Sequence, residues 1–366
     1  MDYVREVLLR LLRISSPTGR TDDIMHEVGT ELEALGIDFR VTRMGAIDAQ
    51  VKGEQDSPDR AVVAHADTVG CAVRRVKENG RLAIVPIGTF SARFAEGARV
   101  TVYLDQQGSY RGTVLPLMAS GHAYHTAIDT QGVGWEHVEV RLDEFCSSAD
   151  EAEALGIQPG DFVALEAVPE ITEAGFVVSR HLDDKAGLAA TLGAFKAVLD
   201  HDVTLPVTAH LLITTREEIG QGASTGLAAD VTEMVSIDVA ICAPEQNSRE
   251  TTVNLAMIDQ TGPFDFHLTR KLGRMCRELG IPVRRDVFAY YRSDVAAALE
   301  AGVETRAALI GCGVDASHGH ERTHLDGIRY VAELLAAYLQ TPLTFPWDVP
   351  PSGQLADFPR WSPSPR

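Results

Sequence analysis

Leu211-Leu212-Ile213-Thr214-Thr215-Arg216-Glu217-Glu218-Ile219-Gly220 is an apolar, β-prone run that ends in two adjacent acids and a glycine. Two like charges at the buried end of a strand are costly unless a cation lies beside them. The pattern has companions. The run Ala61–Ala64 leads into His65-Ala66-Asp67, and His181-Leu182-Asp183-Asp184-Lys185 lies between the two. Each cluster falls at the C-terminal end of a predicted strand, where open α/β sheets build their sites. Together they read as the ligands and general base of a two-metal hydrolase.

Outward from these clusters, the periodicity predicts helices over 2–13 and 21–35, separated by the turn Ser15-Ser16-Pro17-Thr18-Gly19. From about 70 to 165 short β-prone runs (81–87, 98–104, 137–142) alternate with Gly-rich turns, the pattern of a small all-β unit. After Ser179 helices are predicted over 184–199, near 221–229, and over 264–280, 293–301 and 325–340. They alternate with strands at 208–215, 235–241, 253–258 and 306–310. This alternation predicts an α/β fold, a mostly parallel sheet with helices on both faces. The expected domains are a catalytic unit, 1–69 with 166–341, a β domain inserted at 70–165, and a Pro-rich tail, 342–366. The tail holds seven of the 17 prolines together with Trp347, Phe358 and Trp361. Such a segment is extended; it either wanders free or packs through its aromatics.

The net charge of −19 argues against nucleic acid or an anionic membrane as partner, since both need positive potential. Five scattered cysteines without a CxxC spacing exclude a disulfide framework and a thiolate zinc site. The first residues, MDYVREVLLRLLRI, mix charge into an amphipathic helix pattern and do not read as a signal peptide. No apolar run approaches the roughly 20 residues that span a bilayer. A cytoplasmic location is expected.

Residue by residue, the chemistry is as follows. His65 is a metal ligand through one ring nitrogen, and Asp67, on the same face of an extended chain, is the partner that fixes its tautomer. Asp183-Asp184 precedes a helix; it is either an N-cap with a favourable dipole charge or a bridge between two cations. Of the adjacent acids 217 and 218, one binds metal and the other acts as general base toward the attacking water. Asp238 is a charge inside the apolar run Val235–Ile241, and burying it needs a partner. The last ligand is a late histidine, for which Ser317-His318-Gly319-His320-Glu321-Arg322-Thr323-His324 offers three. His324, just before a predicted helix, is the fixed one. His318 and His320 lie in a Gly-containing loop and are solvated or contact substrate.

The order of these motifs resembles the dinuclear-metal aminopeptidases of metallopeptidase family 42, the glutamyl or tetrahedral (TET) aminopeptidase group. Matching segments run from about Leu9 to Leu339: SSPTG, HADTVGCAV, EALGIQPGDFVALE, RHLDDKAG, TTREEIGQGAST, VSIDVA and ERTHLDGI. The resemblance implies that His65, Asp183 and Asp238 hold one metal and Asp183, Glu218 and His324 the other. It makes Glu217 the general base and Asp67 the supporting residue, with a cis peptide between Asp183 and Asp184. It further implies two zinc or cobalt ions per subunit and self-association through the inserted β domain, from a dimer building block up to a dodecamer. Some members carry names such as cellulase or endoglucanase. A glycosidase instead sets a carboxylate pair astride the bond and needs no metal.

The chain departs from the family pattern at three places. Tyr291-Arg292-Ser293-Asp294 stands where Gly-Gly-(Ser/Thr)-Asp is usual. Glu321-Arg322-Thr323-His324-Leu325-Asp326 replaces Arg-Tyr-x-His-Ser-Pro, and Gly45-Ala46 replaces Gly-Asn. These departures bear on substrate preference. Arg292, Ser293, Asp294, His318 and His320 are the candidate substrate-binding residues. Arg292 either pairs with a carboxylate of the substrate or forms a structural ion pair with an acid such as Asp294. The function expected is removal of N-terminal residues from small peptides with a free N-terminus. A related two-metal amidohydrolase (deacylase or carboxypeptidase) is the alternative, and a non-catalytic assembly protein on the same fold is a third. Only the first needs a free α-amine.

Overall fold

The computed structural model describes residues 1–105 and 108–345. Most of the tail expected at 342–366 lies outside these residues. Its spine is the strand Gly53–His65, which pairs in parallel with Leu205–Thr214 on one side and Val231–Ile237 on the other. Val231–Ile237 pairs in parallel with Arg306–Asp315. Antiparallel strands flank this parallel centre. Ile47–Val51 and Asp38–Val41 extend it beyond Leu205–Thr214, and Glu321–His324, Phe176–Ser179 and Glu170–Ile171 extend it beyond Arg306–Asp315.

The parallel strands read as continuous apolar runs because both faces are covered. Val62 and Ala64 point into one core, and Ala61 and Val63 into another on the opposite face. The first core takes the helices Asp2–Arg13, Asp22–Leu35, Leu182–Asp200, Phe266–Glu278 and Leu325–Leu339. Asp2–Arg13 buries Val4, Val7, Leu8, Leu11 and Leu12, a stripe at helical spacing. Leu182–Asp200 is apolar nearly all round and correspondingly buried. The second core is capped by the shorter helix Asp294–Glu300.

The helix expected near 221–229 is absent. A single 3-10 turn, Gly222–Ser224, stands there, and Gly220 and Gly226 both adopt positive φ. Three glycines in seven residues (Gly220, Gly222 and Gly226) remove the helical preference that the spacing implied.

Between Thr68 and Ala167 the chain leaves the sheet and closes a six-stranded antiparallel barrel. Its order is Gly70–Val76, Leu82–Ile87, Val138–Leu142, Ser109–Pro116, Arg99–Tyr103 and Phe162–Leu165. Alternate residues such as Val73, Ile84, Val100, Val114, Val140 and Val163 fill its interior. Closure leaves few free strand edges. Among the described residues, no helix is long and apolar enough to cross a membrane.

Candidate active site

The carboxyl ends of the parallel strands meet where the barrel departs. Gly53–His65 ends on His65, its neighbour Leu205–Thr214 runs on into Glu217 and Glu218, and Val231–Ile237 runs on into Asp238. Asp183 arrives at the start of the helix that crosses the first core, and the Asp183–Asp184 peptide bond is cis. A Cβ at Gly187 would lie 2.3 Å from the Asp184 carboxylate, so glycine leaves room for that acid to fold back over its own helix. Gly311 does similar work: a Cβ there would sit 1.9 Å from the carbonyl of Asp238.

His65 is fully buried, with Nδ1 2.9 Å from the backbone carbonyl of Asp67. A carbonyl only accepts, so Nδ1 carries the hydrogen and Nε2 faces the cluster. Nε2 lies 3.1 Å from Asp183 Oδ1, 3.8 Å from Asp238 Oδ1 and 3.9 Å from Glu217 Oε2. It is thus the main chain of Asp67 that orients the ring. The Asp67 carboxylate accepts from the Thr18 hydroxyl at 2.6 Å and from the backbone amides of Glu217 and Glu218 at 3.2 and 3.4 Å. It therefore holds the acidic pair in place, a role the sequence reading did not assign to it.

The second half is built on His318. Its Nε2 lies 3.3 Å from both Asp183 Oδ2 and Glu218 Oε2, and its Nδ1 gives a hydrogen to the carbonyl of Thr89. Asp183 thereby presents one oxygen to each imidazole. Glu218 uses its other oxygen to accept from Val69 N at 3.0 Å. Glu321 is buried, with one oxygen on His318 N (2.8 Å) and the other on Leu182 N (2.6 Å) and Asp183 N (3.2 Å). It thus ties the His318 loop to the Asp183 turn.

His324, the histidine expected at the second metal, is not in the cluster. Its Nε2 is 2.8 Å from the carbonyl of Ala174, its Nδ1 accepts from Asp326 N, and its ring packs edge-on against Phe176. Both nitrogens are engaged, and it caps the helix Leu325–Leu339. His318 takes the place expected for it. Local sequence carries little signal for His318, which sits in a loop at φ 62 beside Gly319. Its position is set by the Thr89 carbonyl, 229 residues away, and by the carboxylate of Glu321.

Among the other expected substrate contacts, Arg292 lines the cavity and Nη2 pairs with Glu300 at 2.6 Å. The structural ion pair is therefore present, with Glu300 and not Asp294 as the partner. Asp294 and Ser293 are buried and do not line the cavity; Asp294 accepts from the Thr214 hydroxyl at 3.0 Å. His320 is exposed and also lies off the cavity wall.

Charge crowding governs the protonation states. Burial raises the Glu217 carboxyl well above the usual range, with Asp238 and Glu218 adding to it and His65 opposing. Glu218 is pushed up to about 8, first by burial and then by Asp183, against the pull of His318. Burial works against ionisation of Asp183, but His318 and His65 hold its carboxyl below the usual range. Burial also opposes the charge on His318, yet Glu218 and Asp183 raise the imidazole to about 11. The cluster thus has more carboxylate than its imidazoles can balance. It opens onto a cavity of about 1180 Å³ whose walls include Ile219, Ile241, Pro244, Phe288 and Tyr291.

A centre rich in carboxylate and imidazole, at the carboxyl ends of a parallel sheet and facing a cavity, defines a hydrolase of the sheet-based peptidase class. The chain belongs to the M42 glutamyl aminopeptidase family, whose model matches residues 45–334. It is 35% identical over 338 residues to YhfE of Bacillus subtilis (strain 168), which carries an aminopeptidase name; the match covers 92% of this chain and 97% of that one. The glutamyl aminopeptidase of Lactococcus lactis subsp. cremoris (strain MG1363) is 26% identical over 216 residues, 57% of this chain and 58% of its own. Among solved structures, the TET aminopeptidase of Thaumarchaeota archaeon SCGC AB-539-E09 superposes with a TM-score of 0.84 at 18% identity, covering 93% and 96% of the two chains. The TET1 peptidase of Pyrococcus horikoshii, which can assemble into a tetrahedron or a large octahedral shell, superposes with a TM-score of 0.80 at 21% identity, covering 92% and 99%. Family and relatives make the chain a peptidase of the aminopeptidase kind, as its motifs implied.

Proposed function

We propose that this aminopeptidase works with two divalent cations, zinc or cobalt, held by His65, Asp238 and one oxygen of Asp183, and by the other oxygen of Asp183, Glu218 and His318. The donor set fits. Ligand atoms of Asp183, Glu218 and His318 lie within 4.8 Å of one another, and His65 Nε2 lies 3.1 Å from Asp183 Oδ1 and 3.8 Å from Asp238 Oδ1. Glu217 is the least buried of these carboxylates and stands farther from His65 Nε2 than Asp183 does, which supports its role as base. Four carboxylates (Asp183, Glu217, Glu218, Asp238) face two imidazoles with inward nitrogens, a charge that two dications neutralise. The observation that carries the reading is Asp183, whose two oxygens each face a different histidine, at 3.1 and 3.3 Å.

When bound, the cations would polarise the scissile carbonyl and lower the pKa of water. Glu217 takes the proton from the attacking water and later returns it to the leaving nitrogen. Asp67 keeps Glu217 and Glu218 in register through their amides. The family and its aminopeptidase relatives support a small peptide with a free N-terminus as the substrate. Residues 1–69 and 166–341 form the catalytic unit. The inserted 70–165 region, with Tyr124, Ile128 and Val133 exposed on its outer excursion, carries self-association.

Elemental analysis of metal-loaded wild type and Glu217→Gln, with peptide and N-acetyl-peptide assays, tests this reading. Two metals per chain are expected in both proteins. The substitution should lower turnover by ~10² to 10⁴, and the acetylated peptide should not be cleaved. An active wild type with almost no metal would remove the mechanism. Near wild-type turnover in the variant would remove the role of Glu217.

A further inference from the structure

Tyr291 reaches the site from the segment that leads into the helix Asp294–Glu300. The ring packs on the buried Phe288, with centroids 5.2 Å apart at 44°, and its carbonyl accepts from Gln260 N at 3.0 Å. The phenol is therefore held in place. It lines the cavity together with Asp183, Glu217 and Asp238. Its hydroxyl faces the Asp238 carboxylate at the cavity wall and makes no hydrogen bond of ordinary geometry among the described residues.

A buried hydroxyl left without a partner is destabilising. Such a group in a cavity wall is explained when the ligand of that cavity completes it. A phenol in water titrates at about pH 10. At neutral pH it is a donor looking for an acceptor. A peptide brings one acceptor whose charge grows during the reaction, the oxygen of the scissile carbonyl.

We propose that the Tyr291 hydroxyl donates a hydrogen bond to the scissile carbonyl oxygen and stabilises the negative charge that develops there. This inference rests on the two-cation reading above. As the water oxygen bonds to the carbonyl carbon, the π electron pair moves onto the carbonyl oxygen and Glu217 takes the water proton. When the C–N bond breaks, that pair re-forms the carbonyl, and the proton held by Glu217 goes to the leaving nitrogen. Tyr291 keeps its own proton throughout, so it contributes charge stabilisation and no acid–base step.

The test is Tyr291→Phe, which keeps the ring on Phe288 and removes only the hydroxyl. In folded protein with two metals per chain by elemental analysis, kcat should fall by ~10² to 10³, as for the loss of one oxyanion donor. KM should change little. A phosphinic pseudo-dipeptide, which mimics the tetrahedral species, should lose affinity by a similar factor, while the free amino-acid product should bind as before. A fully loaded variant with wild-type kcat overturns the inference. So does equal weakening of phosphinate and amino acid, or loss of metal in the variant, which would make Tyr291 a support for Asp238. A loaded wild type inactive on every peptide removes the functional reading and this inference with it; an active one confines the failure to Tyr291.

Discussion

Two clusters of histidine and aspartate lie along the same pair of strands, and they are built in opposite ways. At the carboxyl ends, His65 and His318 each give Nδ1 to a backbone carbonyl and turn Nε2 toward shared carboxylates. Further back, His210 of Leu205–Thr214 has Nδ1 3.1 Å from Asp48 and Nε2 3.0 Å from Asp59. Asp48 in turn accepts from Arg40 at 2.9 Å. Ligand atoms of Asp59, His210 and Asp230 all lie within 4.8 Å of one another, as do those of the two groups at the carboxyl ends. Proximity alone therefore does not separate the clusters. The destination of the second ring nitrogen does: a carbonyl leaves the imidazole one free nitrogen and adds no charge, whereas a second carboxylate makes it an imidazolium locked in a clamp. The first arrangement is deficient in positive charge and opens onto a cavity; the second is close to balanced and lies in the body of the sheet.

The sharpest way to break this comparison is to exchange the fates of two histidines. His318→Gln should lose one of the two cations and lower kcat by on the order of 10²-fold or more, since even partners behind a ligand cost 10- to 100-fold. His324→Ala should keep both cations and lose only a helix cap, about 1 kcal/mol. Metal counts and thermal melts on both variants check this. A His324 variant that loses metal while His318→Gln keeps it would reverse the assignment.

The clamp should show itself in stability. His210→Ala leaves Asp59 buried without its counter-charge and Asp48 with Arg40 alone, and the expected cost is roughly 3 kcal/mol, with activity per folded molecule unchanged. Burial opposes the charge on His210, but Asp48 and Asp59 raise its pKa above the ordinary value. The folded state therefore binds this proton more tightly than the unfolded chain does. The contribution is fully present below about pH 6.5, the unfolded value, and is lost as pH rises through the higher folded-state value. Denaturant melts across that range should show stability falling on the alkaline side in wild type and less so in the variant. A parallel profile would mean that His210 is not charged.

Arg292 should give the smallest effect. It faces the cavity, but its guanidinium is engaged by the exposed Glu300, and such pairs contribute about 0–1 kcal/mol. Arg292→Gly should change KM for N-terminal acidic and neutral residues by similar small factors. A selective rise for acidic substrates would show that Arg292 leaves Glu300 for the substrate.

Much of this was legible before folding. The alternation of helices and strands after Ser179, the β unit between 70 and 165, and the acids that interrupt apolar runs follow from local periodicity and the cost of burying charge. Those rules act over a few residues, and they located His65, Asp183, Glu217, Glu218 and Asp238. The helix expected near 221–229 failed because three glycines outweighed spacing.

What only the tertiary structure decided is which groups meet across distant segments. His318 owes its place to the Thr89 carbonyl, 229 residues away, and to Glu321. Asp67 serves the amides of Glu217 and Glu218, 150 and 151 residues on. Sequence also could not tell the cluster at the carboxyl ends from the His210 clamp, because both are histidine among aspartates. The distinction lies in hydrogen-bond directions, and these are set by the packing of strands and loops far apart in the chain. Residue type determines what a side chain is able to bind, and the fold determines which of its atoms remain free to do so.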